Sequence, residues 1–176
     1  MQSLVNISSL VVNGDIYTET IEGVEFMVIP SKTMPPGVVM NQILYDADEV
    51  EATIHTLDGS PVTLGHPVVN GRFAAARAPL AQAKYGLLGA HNRVKGKTDD
   101  GRWIVEKLVP VEQMQNTERG KKLAEAIKSK APIHTSTGVY LTKIDEIGVN
   151  AMGQDYQFRA KIDRFDHDAI LLNERG

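Results

Sequence analysis

The chain has 176 residues, a formal net charge of -3 and no cysteine. Hydrophobic residues make up 42% and charged residues 23% of the sequence, which is ordinary for one globular domain. The lack of cysteine excludes disulfides, cysteine-ligated metals and thiol nucleophiles. Covalent catalysis would therefore have to use a serine, a threonine, a lysine or a carboxylate.

The charge and hydropathy patterns also exclude several classes of partner. The sequence has no basic excess of the kind that nucleic-acid-binding proteins usually show. No stretch approaches the roughly 20 apolar residues of a membrane span, and residues 1–12 lack the positively charged start of a signal peptide. We therefore expect a protein that stays in the cell that makes it and binds neither nucleic acid nor membrane.

The first half of the chain is predicted to contain short strands and one helix. Residues 1–20 show no strong period and are expected to form a loosely attached arm. Proline and glycine predict a loop at 30–37, and apolar residues at helical spacing predict a helix at 46–57. The alanine-rich segment 72–83 is expected to be a long loop with a helical turn. Strands are predicted at 24–29, 38–44 and 61–64.

The second half is predicted to alternate between strands and one long helix. Two strand-like runs, 87–95 and 103–109, flank an Asp-Gly turn and predict a hairpin. The clearest helix covers 111–129. Further strands are predicted at 133–144, 156–162 and 169–172. Because the regular βαβα rhythm of a doubly wound sheet is missing, we predict an α+β fold: a small, mostly antiparallel β-barrel with peripheral helices, in a single domain spanning 1–176.

His66 is the histidine whose local sequence most favours a function. It lies between Gly65 and Pro67 at the end of an apolar strand. Glycine permits a close approach of the backbone and proline makes the exit rigid, so the imidazole would be aimed at a fixed point. A histidine that simply caps a turn fits the same local sequence equally well.

Ser136 lies in a predicted strand, IHTSTGVYL, at 133–141. Strand alternation places His134, Ser136 and Gly138 on one face. A glycine beside the serine would leave space for the backbone of a substrate. Taken alone, this short Ser-x-Gly pattern is common, and a serine in a strand is more often structural.

A third group of polar residues precedes the last predicted strand. His167 is flanked by Asp166 and Asp168, and Arg175 follows near the end of the chain. These residues also fit a solvated turn with a surface charge. His66, His134 and His167 could instead ligate zinc in a metal-dependent hydrolase, although no His-x-x-x-His spacing supports this alternative.

Three segments together resemble the phage prohead proteases, which mature phage capsids, and the related herpesvirus assemblins. The segments are PVTLGHP at 61–67, STG at 136–138 and DHDAILLNERG at 166–176. The order of histidine, serine and second histidine along the chain is similar to that of the assemblins. The resemblance runs from about Tyr45 to the C-terminus, and the first 20 residues contribute little to it.

The resemblance implies a serine endopeptidase with an assemblin-like fold and no cofactor or metal. Ser136 would be the nucleophile, His66 its general base and His167 the third member of the triad, with Asp166 as its substitute. Arg175 would help to form the oxyanion site, and Gly138 would lie at the substrate. Some prohead proteases use an acid as third member, and Asn173 and Glu174 precede Arg175 where assemblin has a glycine.

The resemblance also implies a biological setting. The substrates would be scaffolding protein, the N-terminal region of the major capsid protein and the protease itself, inside the phage procapsid in the host cytoplasm. A homo-oligomer is a further implied partner, because assemblins are activated by dimerisation. The alternative that remains open is a non-catalytic, capsid-associated structural or scaffolding domain.

Overall fold

The computed structural model describes residues 2–10 and 15–172 of the chain. The strands of this part are β1 (Gln2–Leu10), β2 (Tyr17–Ile21), β3 (Val24–Thr33), β4 (Val38–Met40), β5 (Ile43–Tyr45), β6 (Pro61–Leu64), β7 (Val68–Val69), β8 (Arg72–Phe73), β9 (Gly86–Lys97), β10 (Trp103–Pro110), β11 (Ile133–Val149) and β12 (Asp155–Leu172). The helices are α1 (Ala47–Thr53), α2 (Pro79–Tyr85), α3 (Val111–Asn116) and α4 (Glu118–Lys128), and a 3₁₀ turn covers Ile54–Leu57. None of these helices is long and apolar enough to cross a lipid bilayer.

One ten-stranded sheet organises the protein. Its main path runs in the order β1-β11-β12-β6-β9-β10-β3-β2, while β5 and its partner β4 attach to β12. The α+β prediction is confirmed, but the closed barrel is not supported. In the described part of the chain, no hydrogen-bonded ladder joins β1 to β2 at the two ends of the path. Strand alternation predicts which face is buried, and it does not determine whether the ends of a sheet meet.

The segment 1–20, expected to be a loosely attached arm, contributes two strands to this sheet. Residues 2–10 form β1, which pairs with β11 from Gln2↔Thr142 to Leu10↔His134. Residues 17–21 form β2 at the other end of the path. The assignment of the whole chain to a single domain stays a prediction.

The predicted hairpin at 87–109 is confirmed as β9 and β10, joined at a turn in which Gly101 has a φ of +79°. The predicted loop at 30–37 begins too early, since β3 continues to Thr33. Pro30 lies within that strand, opposite Glu106 of β10. The β2 ladder ends at Val28, so β3 is an edge strand at Pro30, where a missing N–H donor is tolerated.

The long helix predicted at 111–129 is two helices that meet at Thr117. The φ of Thr117 is −117°, and its side-chain oxygen accepts a hydrogen bond from the Gly120 N–H at 3.0 Å. Threonine is a favourable N-cap because it satisfies such a free donor. The segment expected to be a loop at 72–83 contains β8 and most of α2.

Strand β12 joins the two segments that were predicted as separate strands at 156–162 and 169–172. The intervening DRFDHD sequence resembles an exposed turn, yet Asp166, His167 and Asp168 are buried within the strand. Buried polar groups need partners, and those of β12 are described below. Register shifts along the β11–β12 ladder, one of them at Gly138/Val139, interrupt the regular pairing of these long strands.

The two larger hydrophobic clusters contain most of the buried apolar side chains. One includes Tyr45, Leu141 and Phe165, and the other includes Leu123 and Ile170. Apolar side chains thus support β12 along its length, and its polar segment at 166–168 lies between these supported regions.

Candidate active site

Strand β12 lies between β11 and β6, and the register of its two ladders determines which candidate residues are neighbours. Ser136 pairs with Ala169 and Gly138 pairs with His167 across the β11–β12 ladder. On the other side, Ala169 pairs with Thr63 of β6. Directly opposite side chains share a face of a sheet, and every second residue returns to it. Ser136, Gly138 and His167 therefore lie on one face.

His66 reaches the same region from the end of β6. Gly65 has a φ of +85°, a conformation that favours glycine, and its N–H donates to the Ile170 carbonyl at 2.8 Å. After this turn the His66 ring meets the His167 ring edge to face, with 5.5 Å between the ring centroids. The Phe73 ring of β8 also packs against His66, at 6.1 Å.

A continuous chain of hydrogen bonds joins three of the candidate residues. Nδ1 of His66 lies 3.2 Å from Nε2 of His167, and Nδ1 of His167 lies 2.8 Å from Oδ2 of Asp166. The same Asp166 oxygen accepts a hydrogen bond from the Ala76 N–H at 2.7 Å. Asp166 therefore does not take the place of His167 beside His66. It is the next hydrogen-bond partner, bound to the other nitrogen of His167.

The hydrogen-bond chain determines the tautomers of both rings when they are neutral. The Asp166 carboxylate can only accept, so Nδ1 of His167 carries that ring's proton and Nε2 accepts. Nδ1 of His66 must then donate to His167. The remaining nitrogen of His66, Nε2, keeps a free lone pair, which is what a general base requires.

Electrostatics favour this protonation pattern. Burial and the neighbouring His167 lower the pKa of His66 to about 4, and the Asp168 carboxylate offsets only part of this shift. Burial alone would raise the pKa of Asp166, but the hydrogen bonds from His167 and Ala76 outweigh it and hold the pKa below its usual value. At neutral pH, His66 is therefore uncharged and Asp166 is an anion.

Gly138 provides the space in which the His167 ring lies. A Cβ atom placed on Gly138 would be 2.7 Å from Nδ1 and 2.9 Å from Nε2 of His167, which is too close for real contacts. The space that was expected to accommodate a substrate backbone beside Gly138 thus holds an imidazole. The absence of a side chain at this position is what allows His167 to lie flat against β11.

Ser136 lies on this face but is almost fully buried, with 1% of its surface exposed. Its hydrogen bond to His66, which a serine nucleophile needs, stays a prediction. Arg175 lies outside the described residues, so its role in the oxyanion site is also untested.

The remaining histidines do not join the site as metal ligands. His134 pairs with Leu171, which lies four residues beyond His167 along β12. Nδ1 of His91 lies 3.1 Å from the Gly89 carbonyl oxygen on the hairpin. Within residues 2–10 and 15–172, no group of three or more histidine, aspartate or glutamate side chains is arranged to hold a metal ion.

Sequence reasoning missed two elements of the site. One is the Ala76 N–H, which holds Asp166 and has no signal in the sequence, since it is a backbone group. The other is an ion pair between Lys107 and Asp168, whose side chains are both fully buried. A lysine inside the apolar strand WIVEKLVP at 103–110 was the available signal for a buried cation.

Comparison with known proteins identifies a shared fold. The structure of the bacteriophage T4 capsid assembly protease, gp21, superposes with a TM-score of 0.69 and 12% sequence identity, over 98% of this chain and 99% of that chain. No family model matches the sequence, and no curated protein matches it. The chain thus shares the fold of the T4 capsid assembly protease.

Proposed function

We propose that this chain is a serine endopeptidase of phage capsid maturation. The observation that carries the proposal is the hydrogen-bonded chain from His66 through His167 to Asp166, on the face of the sheet that also holds Ser136. The fold shared with the T4 capsid assembly protease supports the biological setting. A fold alone does not determine chemistry, so the argument for catalysis rests on the site.

In the proposed mechanism, Nε2 of His66 takes the proton of the Ser136 hydroxyl as the oxygen attacks a peptide carbonyl. The hydroxyl is a weak nucleophile and needs such a base within about 2.6–3.2 Å. The resulting imidazolium of His66 then protonates the leaving amine. In the second step His66 takes a proton from water, which attacks the acyl-enzyme, and returns that proton to the Ser136 oxygen as the acid product leaves.

His167 and Asp166 stabilise the imidazolium of His66 in this mechanism. A neutral imidazole is a weaker partner for a cation than a carboxylate is. The Asp166 anion, hydrogen-bonded at 2.8 Å to the far nitrogen of His167, polarises that ring towards His66 and compensates in part. Arg175 and backbone N–H groups near it are the proposed donors to the oxyanion, and one such donor contributes about 2.7–4 kcal/mol.

The proposed substrates are the scaffolding protein and the N-terminal region of the major capsid protein, and the proposed location is the interior of the procapsid in the host cell. The protease would also cleave itself. These assignments follow from the resemblance of the motifs, and the fold shared with the T4 capsid assembly protease agrees with them.

The direct test is to incubate the chain with the scaffolding and major capsid proteins of its own phage and to follow cleavage by mass spectrometry. Wild type is expected to cleave both, and Ser136→Ala is expected to cleave neither. Ser3→Ala is the matched control, because it removes a hydroxyl that is buried in the same sheet without a hydrogen-bond partner. A serine-directed phosphonate should label wild type and Ser3→Ala at Ser136 alone.

Cleavage by Ser136→Ala at the wild-type rate would contradict the proposal. The absence of both cleavage and labelling in the wild type would favour the non-catalytic capsid domain instead. Addition of a chelator should leave cleavage unchanged, and inhibition by the chelator would support the metal-dependent alternative.

A further inference from the structure

A buried ion pair lies behind the candidate active site, on the face of β12 opposite His167. Asp168 follows His167 in the strand, so its side chain points to the other face. There its carboxylate pairs with the ammonium group of Lys107 from β10. Both side chains are 0% exposed, and the proposed reaction uses neither of them.

The surrounding groups satisfy the Lys107 ammonium. Besides Asp168, it donates to the Ser31 hydroxyl and to the Val105 carbonyl, the latter at 3.4 Å. Two of the three ammonium hydrogens are thus donated to neutral oxygens, and the Asp168 carboxylate lies beside the ammonium group as its counter-ion. The arrangement is therefore a buried ion pair between a lysine and a carboxylate, in which burial lowers the pKa of Lys107 below its usual value.

A second set of hydrogen bonds holds the Asp168 carboxylate from β11. The Thr137 hydroxyl donates to Oδ1 of Asp168 at 3.2 Å. The Thr33 hydroxyl of β3 lies 3.1 Å from the Thr137 hydroxyl, and it donates there because the Thr137 hydrogen is already committed. Asp168 is thus tied to β10 through Lys107 and to β11 through Thr137.

This network is an inefficient way to stabilise a fold, because desolvating two charges offsets most of their attraction. Its position in β12 indicates another role. The register shift at Gly138/Val139 leaves Asp166 without a directly paired residue on β11, immediately before His167. Such irregularities bend a strand and redirect its side chains. The strand therefore needs an anchor directly after His167, and Asp168 occupies that position.

We propose that Asp168, held by Lys107 and Thr137, is a positioning residue for the His66–His167 pair. This inference rests on the proposed function, because it assigns a purpose to the orientation of those two rings. The anchor fixes the backbone on one side of His167, while Asp166 and the Ala76 N–H fix it on the other. Together they keep Nε2 of His167 directed at Nδ1 of His66.

The electrostatic surroundings of His66 agree with this role. The groups whose charge acts on the His66 ring are His167 and Asp168 of β12. Asp166 acts on it through His167, Lys107 acts on it through Asp168, and the ring neighbour from β8, Phe73, carries no charge. The Asp168 carboxylate thus raises the pKa of His66 against the larger lowering effects of burial and His167.

The test uses the full chain and compares three variants. Asp168→Asn removes the anchoring charge. Thr137→Val removes the hydrogen bond to Asp168 from β11, together with the acceptor of the Thr33 hydroxyl, and leaves no buried charge unpaired, so it decides the question if Asp168→Asn does not fold. Thr33→Val is the matched control, since it removes a hydroxyl from the same network that touches neither Asp168 nor Lys107.

The readout is nitrogen-15 NMR of the histidine rings at pH 7, together with kcat and KM for scaffold cleavage. In wild type and Thr33→Val, His66 and His167 should each carry their proton on Nδ1 alone. In Thr137→Val and Asp168→Asn, both rings should show mixed Nδ1 and Nε2 protonation. Because the two rings are displaced in Thr137→Val and Asp168→Asn, the kcat of these variants should fall by on the order of 100-fold while KM is unchanged.

The inference is overturned if a folded Thr137→Val or Asp168→Asn chain keeps the single Nδ1 tautomers and the wild-type kcat. It is equally overturned if Thr33→Val disturbs the tautomers as much as Thr137→Val does, because the network would then act only through general stability. The NMR result needs no proteolysis. Continued cleavage by Ser136→Ala would therefore end the proposed function while leaving this experiment to judge the positioning role by itself.

Discussion

Nδ1 of His66 lies 3.2 Å from Nε2 of His167, although the two residues are 101 positions apart in the chain. The contact exists because β6 and β12 are neighbouring parallel strands and the chain turns at Gly65 as β6 ends. It gives the hydrogen-bond chain a direction, from His66 as donor towards Asp166 as final acceptor. Each prediction below depends on this contact or on the groups that support it.

The low pKa of His66 predicts that cleavage persists into the acid range. The neutral ring is the proposed base, and the pKa of about 4 means that the ring loses its proton above that value. We expect kcat/KM to stay constant as the pH falls from 7 to about 5 and to decrease through about pH 4. The measurement is the pH dependence of kcat/KM with a peptide substrate. An acid limb centred near the unperturbed histidine value of about 6.5 would contradict it.

The same shift predicts a pH dependence of stability. The unfolded chain binds a proton at His66 near the unperturbed pKa of about 6.5, whereas the folded chain binds it only near pH 4. The unfolded state therefore holds more protons between these values, and the free energy of unfolding should decrease as the pH falls from about 6.5 to 4. Urea unfolding of wild type and His66→Asn at several pH values measures this, and the variant should show the smaller decrease.

Gly138→Ala should displace the His167 ring. The added Cβ would lie 2.7 Å from Nδ1 of that ring, and such overpacking costs about 1–3 kcal/mol. We expect a lower free energy of unfolding and a loss of cleavage. In the double variant Gly138→Ala/His167→Ala the clash is gone, so stability should recover relative to Gly138→Ala while cleavage should not. Equal stabilities of Gly138→Ala and wild type in urea would contradict the close packing.

Asp166→Asn should slow cleavage without abolishing it. The carboxylate accepts from His167 and Ala76, and a hydrogen bond to a charged group contributes about 1.5–3 kcal/mol. Its loss corresponds to a decrease in kcat of about 10- to 100-fold. Asp163→Asn is the control, because its carboxylate forms an exposed ion pair with Arg164. If Asp163→Asn reduces kcat as much as Asp166→Asn does, the extended hydrogen-bond chain has no special role.

Lys107→Met should be strongly destabilising. Removing one partner leaves the Asp168 carboxylate buried without its counter-ion, which typically costs about 3–5 kcal/mol. The double variant Lys107→Met/Asp168→Asn removes both charges of this pair and should be more stable than Lys107→Met alone. Urea unfolding of wild type, Lys107→Met, Asp168→Asn and the double variant gives a double-mutant cycle. A coupling energy near zero would show that the two side chains do not interact as an ion pair.

Much of the fold could be predicted because its signals are local. The hairpin of β9 and β10 follows from two apolar runs around an Asp-Gly turn, and β6 follows from its short apolar run. The predictions failed where tertiary partners override local character. Residues 163–168 resemble an exposed turn, but Lys107, Thr137 and Ala76 provide partners that allow Asp166 and Asp168 to be buried inside β12.

By itself, the sequence determined the α+β class, the main strands and the identity of three polar residues that could act together: His66, Ser136 and His167. The tertiary structure alone decided that β1 and β2, at the two ends of the described sheet, do not pair with each other, that His66 meets His167, and that Asp166 extends this contact. The physical reason is that strand periodicity reports which face a side chain occupies, whereas ladder register and burial determine which distant residue it meets there.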